Sequence, residues 1–182
     1  MFNENNVRFR KLKLEDLQLM HKWLNEPHVH DWYDKDKQNT LEEIANRYAP
    51  KIKEEKPTDC YIVLYEDKPV GYIQTYKVND WPEFGDYVGV DDNTASIDLF
   101  IGDSSYMGKG FGSLMLKRFL NKIVFANEKI TTCIIGPEPK NTRAIKAYEK
   151  VGFKYVKTVQ IPEESDPTYI MEITKPSNLP NS

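Results

Sequence analysis

An aspartate and a glycine-rich segment lie close together in this chain, and the glycine-rich segment suits the binding of an anion. Asp98 lies in the apolar run of residues 97–101, which has the pattern of a buried strand. Residues 106–112 follow with glycines at alternate positions, and an amphipathic stretch begins at Ser113. Glycines bare the backbone N–H groups at a helix start, where the helix dipole also favours anions. The segment therefore predicts a site for a phosphate-bearing cofactor.

The spacing excludes two familiar phosphate-binding loops. A Walker A loop has four residues between its first glycine and its Gly-Lys pair, followed by Ser or Thr. Here five residues separate Gly102 from Gly108, and Gly110 occupies the Ser/Thr position. A dinucleotide-binding loop has the pattern G-x-G-x-x-G near the start of a βαβ unit, whereas this segment has G-x-G-x-G in mid-chain.

A second segment, residues 141–153, has the pattern of a capped helix. Asn141 is a good N-cap, Ala144 and Tyr148 lie one turn apart on the same face, and Gly152 is typical of a C-cap. Tyr148 by itself has two interpretations, a core aromatic or a functional hydroxyl. The order of the two segments, about thirty residues apart, favours the functional interpretation.

Together the two segments resemble the pyrophosphate loop and the later Asn–Tyr motif of the GCN5-related N-acetyltransferases (GNAT). Gly110 and Gly112 fill the glycine positions, whereas Met107 stands where Gln or Arg is usual. The resemblance implies an α/β fold: one mixed, mostly antiparallel sheet of six to seven strands, flanked by about four helices. It also implies acetyl-CoA as co-substrate, with no metal. The cofactor residues would then be Leu99, Phe100, Ile101, Met107, Gly108, Lys109, Gly110, Phe111, Gly112, Ser113, Asn141 and Ala144.

Residues 23–29, 31–33, 97–102, 108–112 and 139–145 look more specifically like the aminoglycoside 6′-N-acetyltransferases, which are antibiotic-resistance enzymes. That resemblance implies that Asp98 is the general base and that Tyr148 protonates the departing thiolate. It also implies that Trp32, Tyr33 and Tyr48 line the acceptor pocket. The other interpretation of Asp98 is a buried acid that holds its strand by hydrogen bonds.

One position departs from that family. An aspartate that contacts substrate amines is common just before the proline that precedes the Asn helix, and this chain has Gly136 before Pro137. The departure bears on the identity of the amine more than on the type of reaction.

Two acidic clusters suggest a cationic acceptor. The predicted long loop 77–94 contains Asp80, Asp86 and Asp91 among aromatic residues, and a second cluster at residues 163–166 contains Glu164 and Asp166. Carboxylates pair with ammonium groups and aromatic rings stack on them, so these residues are predicted to bind substrate. A solvated acidic surface is the other interpretation.

Composition limits the remaining choices. With 182 residues, the chain is expected to be one domain over residues 1–175, followed by a disordered tail at 176–182. The net charge of −3 does not favour nucleic-acid binding, and no apolar stretch has the length of a membrane span. We expect a cytoplasmic protein, a monomer or homodimer, with Cys60 and Cys133 as reduced buried thiols.

The hydrophobic patterns predict an alternating order of elements. Helices are expected at 14–25, at 41–53 behind a Thr40–Glu43 capping box, at 112–125 and after Asn141. Strands are expected at 7–12, 60–65, 69–76, around Asp98, and at 130–135, 153–161 and 168–174.

The predicted activity is direct transfer of an acetyl group from acetyl-CoA to a primary amine, with the 6′-amine of an aminoglycoside as the leading acceptor. One alternative is an N-hydroxylysine acetyltransferase of siderophore synthesis, and another acts on ribosomal-protein N-termini. A catalytically inert acetyl-CoA sensor is a different class. The acidic clusters favour a polycation over an amino acid, and the presence of both Asp98 and Tyr148 disfavours the sensor.

Overall fold

The computed structural model describes residues 2–33, 35, 37, 39–162 and 164–176. Glu163 and the predicted tail beyond Pro176 lie outside the described residues. The helices are α1 Leu17–Leu24, α2 Pro27–His30, α3 Leu41–Ile52, α4 Pro82–Val88, α5 Phe111–Phe119 and α6 Thr142–Val151. The strands are β1 Val7–Lys11, β2 Asp59–Tyr65, β3 Lys68–Lys77, β4 Thr94–Ile101, β5 Thr132–Ile135, β6 Lys154–Val159 and β7 Thr168–Thr174.

The strands form one seven-stranded sheet in the order β1-β2-β3-β4-β5-β7-β6. β4 and β5 are parallel, whereas β1–β2, β5–β7 and β6–β7 are antiparallel. The predicted mixed sheet of six to seven strands with flanking helices is therefore confirmed.

The chain divides into two compact units. One comprises residues within 1–74 and 99–111, and the other comprises residues within 75–98 and 112–182. The first unit contains α1–α3, and the second contains α4, α6 and the strands β5–β7. Each unit contributes its own set of candidate functional residues, described separately below.

The helices of the first unit follow their sequence patterns. Leu17, Met20, Trp23 and Leu24 form one buried face of α1, as predicted. α3 begins with the predicted capping box: Thr40 Oγ1 accepts from Glu43 N at 3.2 Å, and Glu43 Oε2 accepts from Thr40 N at 3.3 Å. Both helices pack in the same hydrophobic cluster, so this unit is positioned by side-chain burial.

The prediction of an irregular loop at 77–94 is wrong. The segment contains a 3₁₀ turn at Val78–Asp80 and the helix α4, which begins with Pro82 in its first turn and ends at Gly89. Val78 and Val88 are buried with Ile134 and Ile170. The spacing of Trp81, Phe84 and Val88 is that of one helix face, and packing against the second unit's core explains why the segment is ordered.

Two smaller findings concern α5 and the cysteines. The predicted helix 112–125 is α-helical only to Phe119 and continues as a π-helical turn over Leu120–Val124. Cys60 and Cys133 are buried free thiols, as predicted. Among the described helices, none is both long and apolar enough to cross a membrane.

Candidate active site

Asp98 lies in the second half of β4 and belongs to the second unit. The paired residues of β4 and β5 are Thr94↔Thr132, Ala95↔Cys133 and Ser96↔Ile134, so the parallel register ends before Asp98. The Asp98 side chain is half-buried, whereas the preceding residue, Ile97, is fully buried. Asp98 is the fifth of the eight residues of β4 and follows the stretch that pairs with β5.

Three protic side chains interact electrostatically with Asp98. Burial raises the pKa of Tyr148 well above its ordinary range, and the negative charge of Asp98 raises it further. The same two causes, in the same order, raise the pKa of the Cys133 thiol. Burial followed by the Asp98 charge also raises the pKa of Tyr76, while a hydrogen bond with Ser96 opposes the shift. Asp98 is therefore surrounded by groups that keep their protons at neutral pH.

Tyr148 is held on α6 by contacts at both ends of that helix. Asn141 caps the start, with its Oδ1 accepting from Ala144 N at 3.1 Å, and Gly152 ends it, as predicted. Ser113 Oγ, in the first turn of α5, donates to the Ala147 carbonyl at 3.0 Å. Because Ala147 precedes Tyr148, this bond fixes Tyr148 relative to the start of α5. Tyr148 is 9% exposed.

The glycine segment forms a tight turn before α5. Gly108 and Gly110 have φ of +70° and +84°, a region that favours glycine, and a Cβ on either would meet nothing within 4 Å. The backbone is therefore open on the side of both glycines. Lys109 Nζ donates to the Ser105 carbonyl at 2.8 Å, which places a positive charge beside the turn. Open backbone, a helix start and a cation are the features of a phosphate site.

The entry to this turn is held firmly within the first unit. Gly102 N and Asp103 N donate to the Val70 carbonyl at 2.9 Å and 3.1 Å. A Cβ on Gly102 would lie closer than 3.0 Å to three ring carbons of Trp23. Phe100 is buried against Trp23, with ring centroids 6.1 Å apart, whereas Leu99 and Ile101 are half-buried. The predicted cofactor residues of β4 therefore alternate between core and partial exposure.

The three predicted acceptor aromatics differ in exposure. Trp32 is 39% exposed, Tyr33 is half-buried, and Tyr48 is 2% exposed. Tyr33 packs on Phe100 with ring centroids 5.0 Å apart, and Tyr48 packs on Tyr72 at 5.5 Å. The structure brings Tyr33 and Tyr48 to the same aromatic cluster. Only Trp32 and Tyr33 present surface to a ligand, with Tyr48 supporting them from the core.

Most of the predicted acidic residues are exposed to solvent. Asp80, Asp86, Asp91 and Glu164 are exposed. Of these, Glu164 interacts electrostatically with Tyr76, and thus lies near the group around Asp98. Asp166 forms a salt bridge with Lys140 at 2.9 Å.

Gly136 packs closely against β7. A Cβ at this position would lie 2.5 Å from Thr168 Cγ2. Thr168 is 6% exposed, and its Oγ1 is buried without a hydrogen-bond partner among the described residues. Thr168 therefore fills the space that the side chain of a larger residue at 136 would need.

Sequence reasoning missed several residues of this site. Cys133 was interpreted only as a buried thiol and Tyr76 only as a strand residue, and both interact with Asp98. The Ser113–Ala147 bond was also unforeseen. The signal that could have found Tyr76 is its position at the end of β3, which is the neighbour of β4 in the sheet. No group of three or more His, Cys, Asp or Glu residues that could hold a metal occurs in the described part of the chain.

A glycine turn at a helix start, and a carboxylate whose charge acts on a buried tyrosine, on a mixed sheet, are parts that suit an acyl-CoA-dependent transferase. A family model described as the acetyltransferase (GNAT) domain matches residues 13–161. The chain therefore belongs to the GNAT acetyltransferase family. Its predicted assignment as an acetyl-CoA-dependent N-acetyltransferase is confirmed.

Similar proteins cover most of the chain. Aminoglycoside N(6′)-acetyltransferase type 1 of Klebsiella pneumoniae is 29% identical over 166 residues, which cover 88% of this chain and 80% of the relative. The crystal structure of aminoglycoside acetyltransferase AAC(6′)-Ib with coenzyme A and kanamycin is 28% identical with a TM-score of 0.81, covering 93% of this chain and 95% of the other. The lysine N-acyltransferase MbtK of Mycobacterium tuberculosis is 26% identical over 158 residues, 81% of this chain and 68% of the relative.

Proposed function

We propose that this chain transfers the acetyl group of acetyl-CoA to the 6′-amine of an aminoglycoside, by direct transfer within a ternary complex. The observation that carries the proposal is the open glycine turn at the start of α5, with Lys109 beside it, in a chain of the GNAT acetyltransferase family. Asp98 and Tyr148 would supply the acid–base chemistry. A base for the amine and an acid for the thiolate are the two groups that such a transfer needs. The similarity to aminoglycoside 6′-acetyltransferases along 88% of the chain supports the choice of acceptor.

Acetyl-CoA would be held by the glycine turn and the adjoining strand. The N–H groups of residues 108–112 and the start of α5 would bind the pyrophosphate, with Lys109 adding positive charge. Met107, Phe111 and Ser113 would complete that turn. Leu99, Phe100 and Ile101 would bind the extended arm of the cofactor along β4, and Asn141 and Ala144 would contact it from the start of α6.

Asp98 would act on the acceptor amine. An amine is mostly protonated near neutral pH and must lose a proton before its nitrogen can attack the thioester carbonyl. Asp98 would accept this proton directly or through a water molecule. Its carboxylate would also hold the ammonium group in place before the proton leaves.

Tyr148 would act on the leaving group. Attack of the amine gives a tetrahedral intermediate whose oxyanion would accept a hydrogen bond from the backbone N–H of Leu99 or Phe100. Collapse of the intermediate breaks the carbon–sulfur bond, and the Tyr148 hydroxyl would give its proton to the CoA thiolate. The proton that the attacking nitrogen loses as it becomes an amide would return to the tyrosinate through solvent, which restores the hydroxyl. Its raised pKa keeps this hydroxyl protonated until that step. Binding both substrates together supplies proximity, so no covalent enzyme intermediate is required.

The acceptor would be a polycationic amine bound by rings and carboxylates. Trp32 and Tyr33, supported by Tyr48, would stack on its sugar rings, and carboxylates would pair with its ammonium groups. The proposed carboxylates are Asp80, Asp86, Asp91, Glu164 and Asp166. We also propose that residues 1–175 act as one domain, in the cytoplasm, as a monomer or homodimer.

Thiol release tests the proposal. The purified protein is incubated with acetyl-CoA and kanamycin, a 6′-hydroxy aminoglycoside, spermidine, N-hydroxylysine or a peptide N-terminus, and free CoA thiol is measured. Rapid turnover with kanamycin and none with the 6′-hydroxy compound is the expected result. Turnover restricted to another acceptor would refute the aminoglycoside assignment while leaving the roles of Asp98 and Tyr148 to be tested with that acceptor.

A second candidate is acetylation of N-hydroxylysine. Gly136 favours it, because the acidic residue common at this position in aminoglycoside enzymes is absent and Thr168 occupies the space. The similarity to a lysine N-acyltransferase favours it as well. The N-hydroxylysine arm of the same assay distinguishes the two candidates.

A further inference from the structure

We infer that His28 is a positioning residue for the acetyl-CoA loop: it holds the entry of the glycine turn in the conformation that binds the cofactor. The inference rests on the proposed acetyl-CoA site. It concerns a residue on α2 that is placed in neither the catalytic pair nor the glycine segment.

His28 reaches the end of β4 from the first unit's helical layer. Its Nε2 lies 3.1 Å from the Ile101 carbonyl oxygen. A carbonyl only accepts, so Nε2 carries the hydrogen and donates it. α2 is a single short helix with Pro27 in its first turn, and Val29 beside His28 is fully buried. Because Val29 is buried, α2 is held in place, and α2 in turn sets the position of the His28 imidazole.

The bond from His28 is one of three hydrogen bonds that hold the consecutive residues 101–103 in place. The Ile101 carbonyl accepts from His28, while Gly102 N and Asp103 N donate to the Val70 carbonyl of β3. Trp23 packs where a side chain on residue 102 would lie. Asp103 in turn accepts from Ser105 N at 2.9 Å, which sets the first bend of the loop. The loop therefore leaves β4 in a direction determined by β3 on one side and by α1 and α2 on the other.

The hydrogen bonds and packing contacts of the loop lie at its base. Residues 101–103 are held by the bonds above, whereas Gly108 and Gly110 lie in open space with positive φ. Backbone N–H groups bind a phosphate well only when they are already aimed at it, because ordering them on binding costs free energy. Removing the His28 donor would leave the Ile101 carbonyl without that hydrogen bond and would loosen the base of the loop. The expected consequence is weaker cofactor binding, with the chemical step little changed.

The test compares three variants with the unmodified full chain. His28→Leu removes the donor, and His28→Gln keeps an N–H group at a similar distance from the backbone. His30→Leu is the matched control, because His30 lies on the same helix and the structure shows no side-chain hydrogen bond from it to any described residue. The dissociation constant of CoA is measured by calorimetry, and steady-state kinetics give KM for acetyl-CoA, KM for the acceptor and kcat.

We expect His28→Leu to weaken CoA binding about 3- to 10-fold, the effect of one lost hydrogen bond. KM for acetyl-CoA should rise by the same factor, with kcat and the acceptor KM within about twofold. His28→Gln and His30→Leu should bind CoA like the unmodified chain. Should His28→Leu not fold, His28→Asn gives the same comparison, because its shorter amide falls short of the carbonyl.

Two results would overturn the inference in distinguishable ways. Equal CoA affinity in His28→Leu, His30→Leu and the unmodified chain would refute the positioning role alone. Absence of CoA binding to the unmodified chain would refute the acetyl-CoA site itself, and the proposed function with it.

Discussion

Gly102 should tolerate no side chain, because the indole ring of Trp23 occupies the space beside it. A Cβ at this position would lie closer than 3.0 Å to three ring carbons. Trp23 is buried and packs against Phe100, so the ring has no room to move. Overpacking of this kind costs about 1–3 kcal/mol. For a chain of this size, each kcal/mol lowers the melting temperature by about 2–4 °C, so Gly102→Ala should melt about 2–12 °C lower. Its CoA affinity should fall as well, since the proposed cofactor loop begins there.

Gly85→Ala is the control, because this substitution should raise the melting temperature rather than lower it. A Cβ on Gly85 would lie 3.7 Å from Val78 Cγ1, which is ordinary van der Waals contact, and Gly85 is inside α4. Alanine in a helix is favoured over glycine by about 0.5–1 kcal/mol, so Gly85→Ala should melt slightly higher. Thermal and urea unfolding of both variants measure the two effects. Equal melting temperatures for Gly102→Ala and the unmodified chain would refute the packing argument.

Three further predictions concern the active site and the core. Tyr148→Phe should reduce turnover about 100-fold or more, the usual worth of a general acid, while calorimetry should show nearly unchanged CoA affinity; normal turnover would contradict its role. Because burial raises the pKa of Tyr72, Tyr148 and Cys133, the unfolded chain releases these protons first. The stability that these three protonated groups contribute is therefore present below their unfolded pKa values of about 8.5–10, and it is lost as the pH rises through those values. A melting temperature that does not fall from pH 8 to pH 10.5 would contradict this prediction. Gly136→Ala should destabilise the protein by about 1–3 kcal/mol, and adding Thr168→Ala should recover part of that loss. Strictly additive effects in this double-mutant cycle would show that the two side chains do not compete for space.

Much of the local structure could be predicted because the determining signals are local. The capping box at Thr40 and Glu43, the buried face of α1 and the Asn141 cap of α6 each depend on residues within one or two turns. The glycine turn was predicted for the same reason, since positive φ at alternate glycines is a property of the segment itself. These features fix the positions of Tyr148 and of the cofactor loop along the chain.

The remaining features depend on contacts between distant residues. The segment 77–94 is ordered because Val78 and Val88 pack with Ile134 and Ile170, which no local pattern reveals. Its aromatic residues Trp81 and Phe84 contact Tyr76, with ring centroids 6.1 Å and 6.2 Å away. The neighbours of Asp98 likewise come from different strands and from α6.

The pairing of Asp98 with a reacting amine is the central claim, and the turnover of Asp98→Asn tests it most directly. Asparagine keeps the shape of the side chain and cannot accept the proton as a carboxylate does. The measurement is CoA-thiol release with the best acceptor of the panel, accompanied by CoA affinity from calorimetry. We predict turnover lower by about 10²–10⁴, the range for a general base, with CoA affinity unchanged. Unchanged turnover in a variant that binds CoA normally would contradict the account.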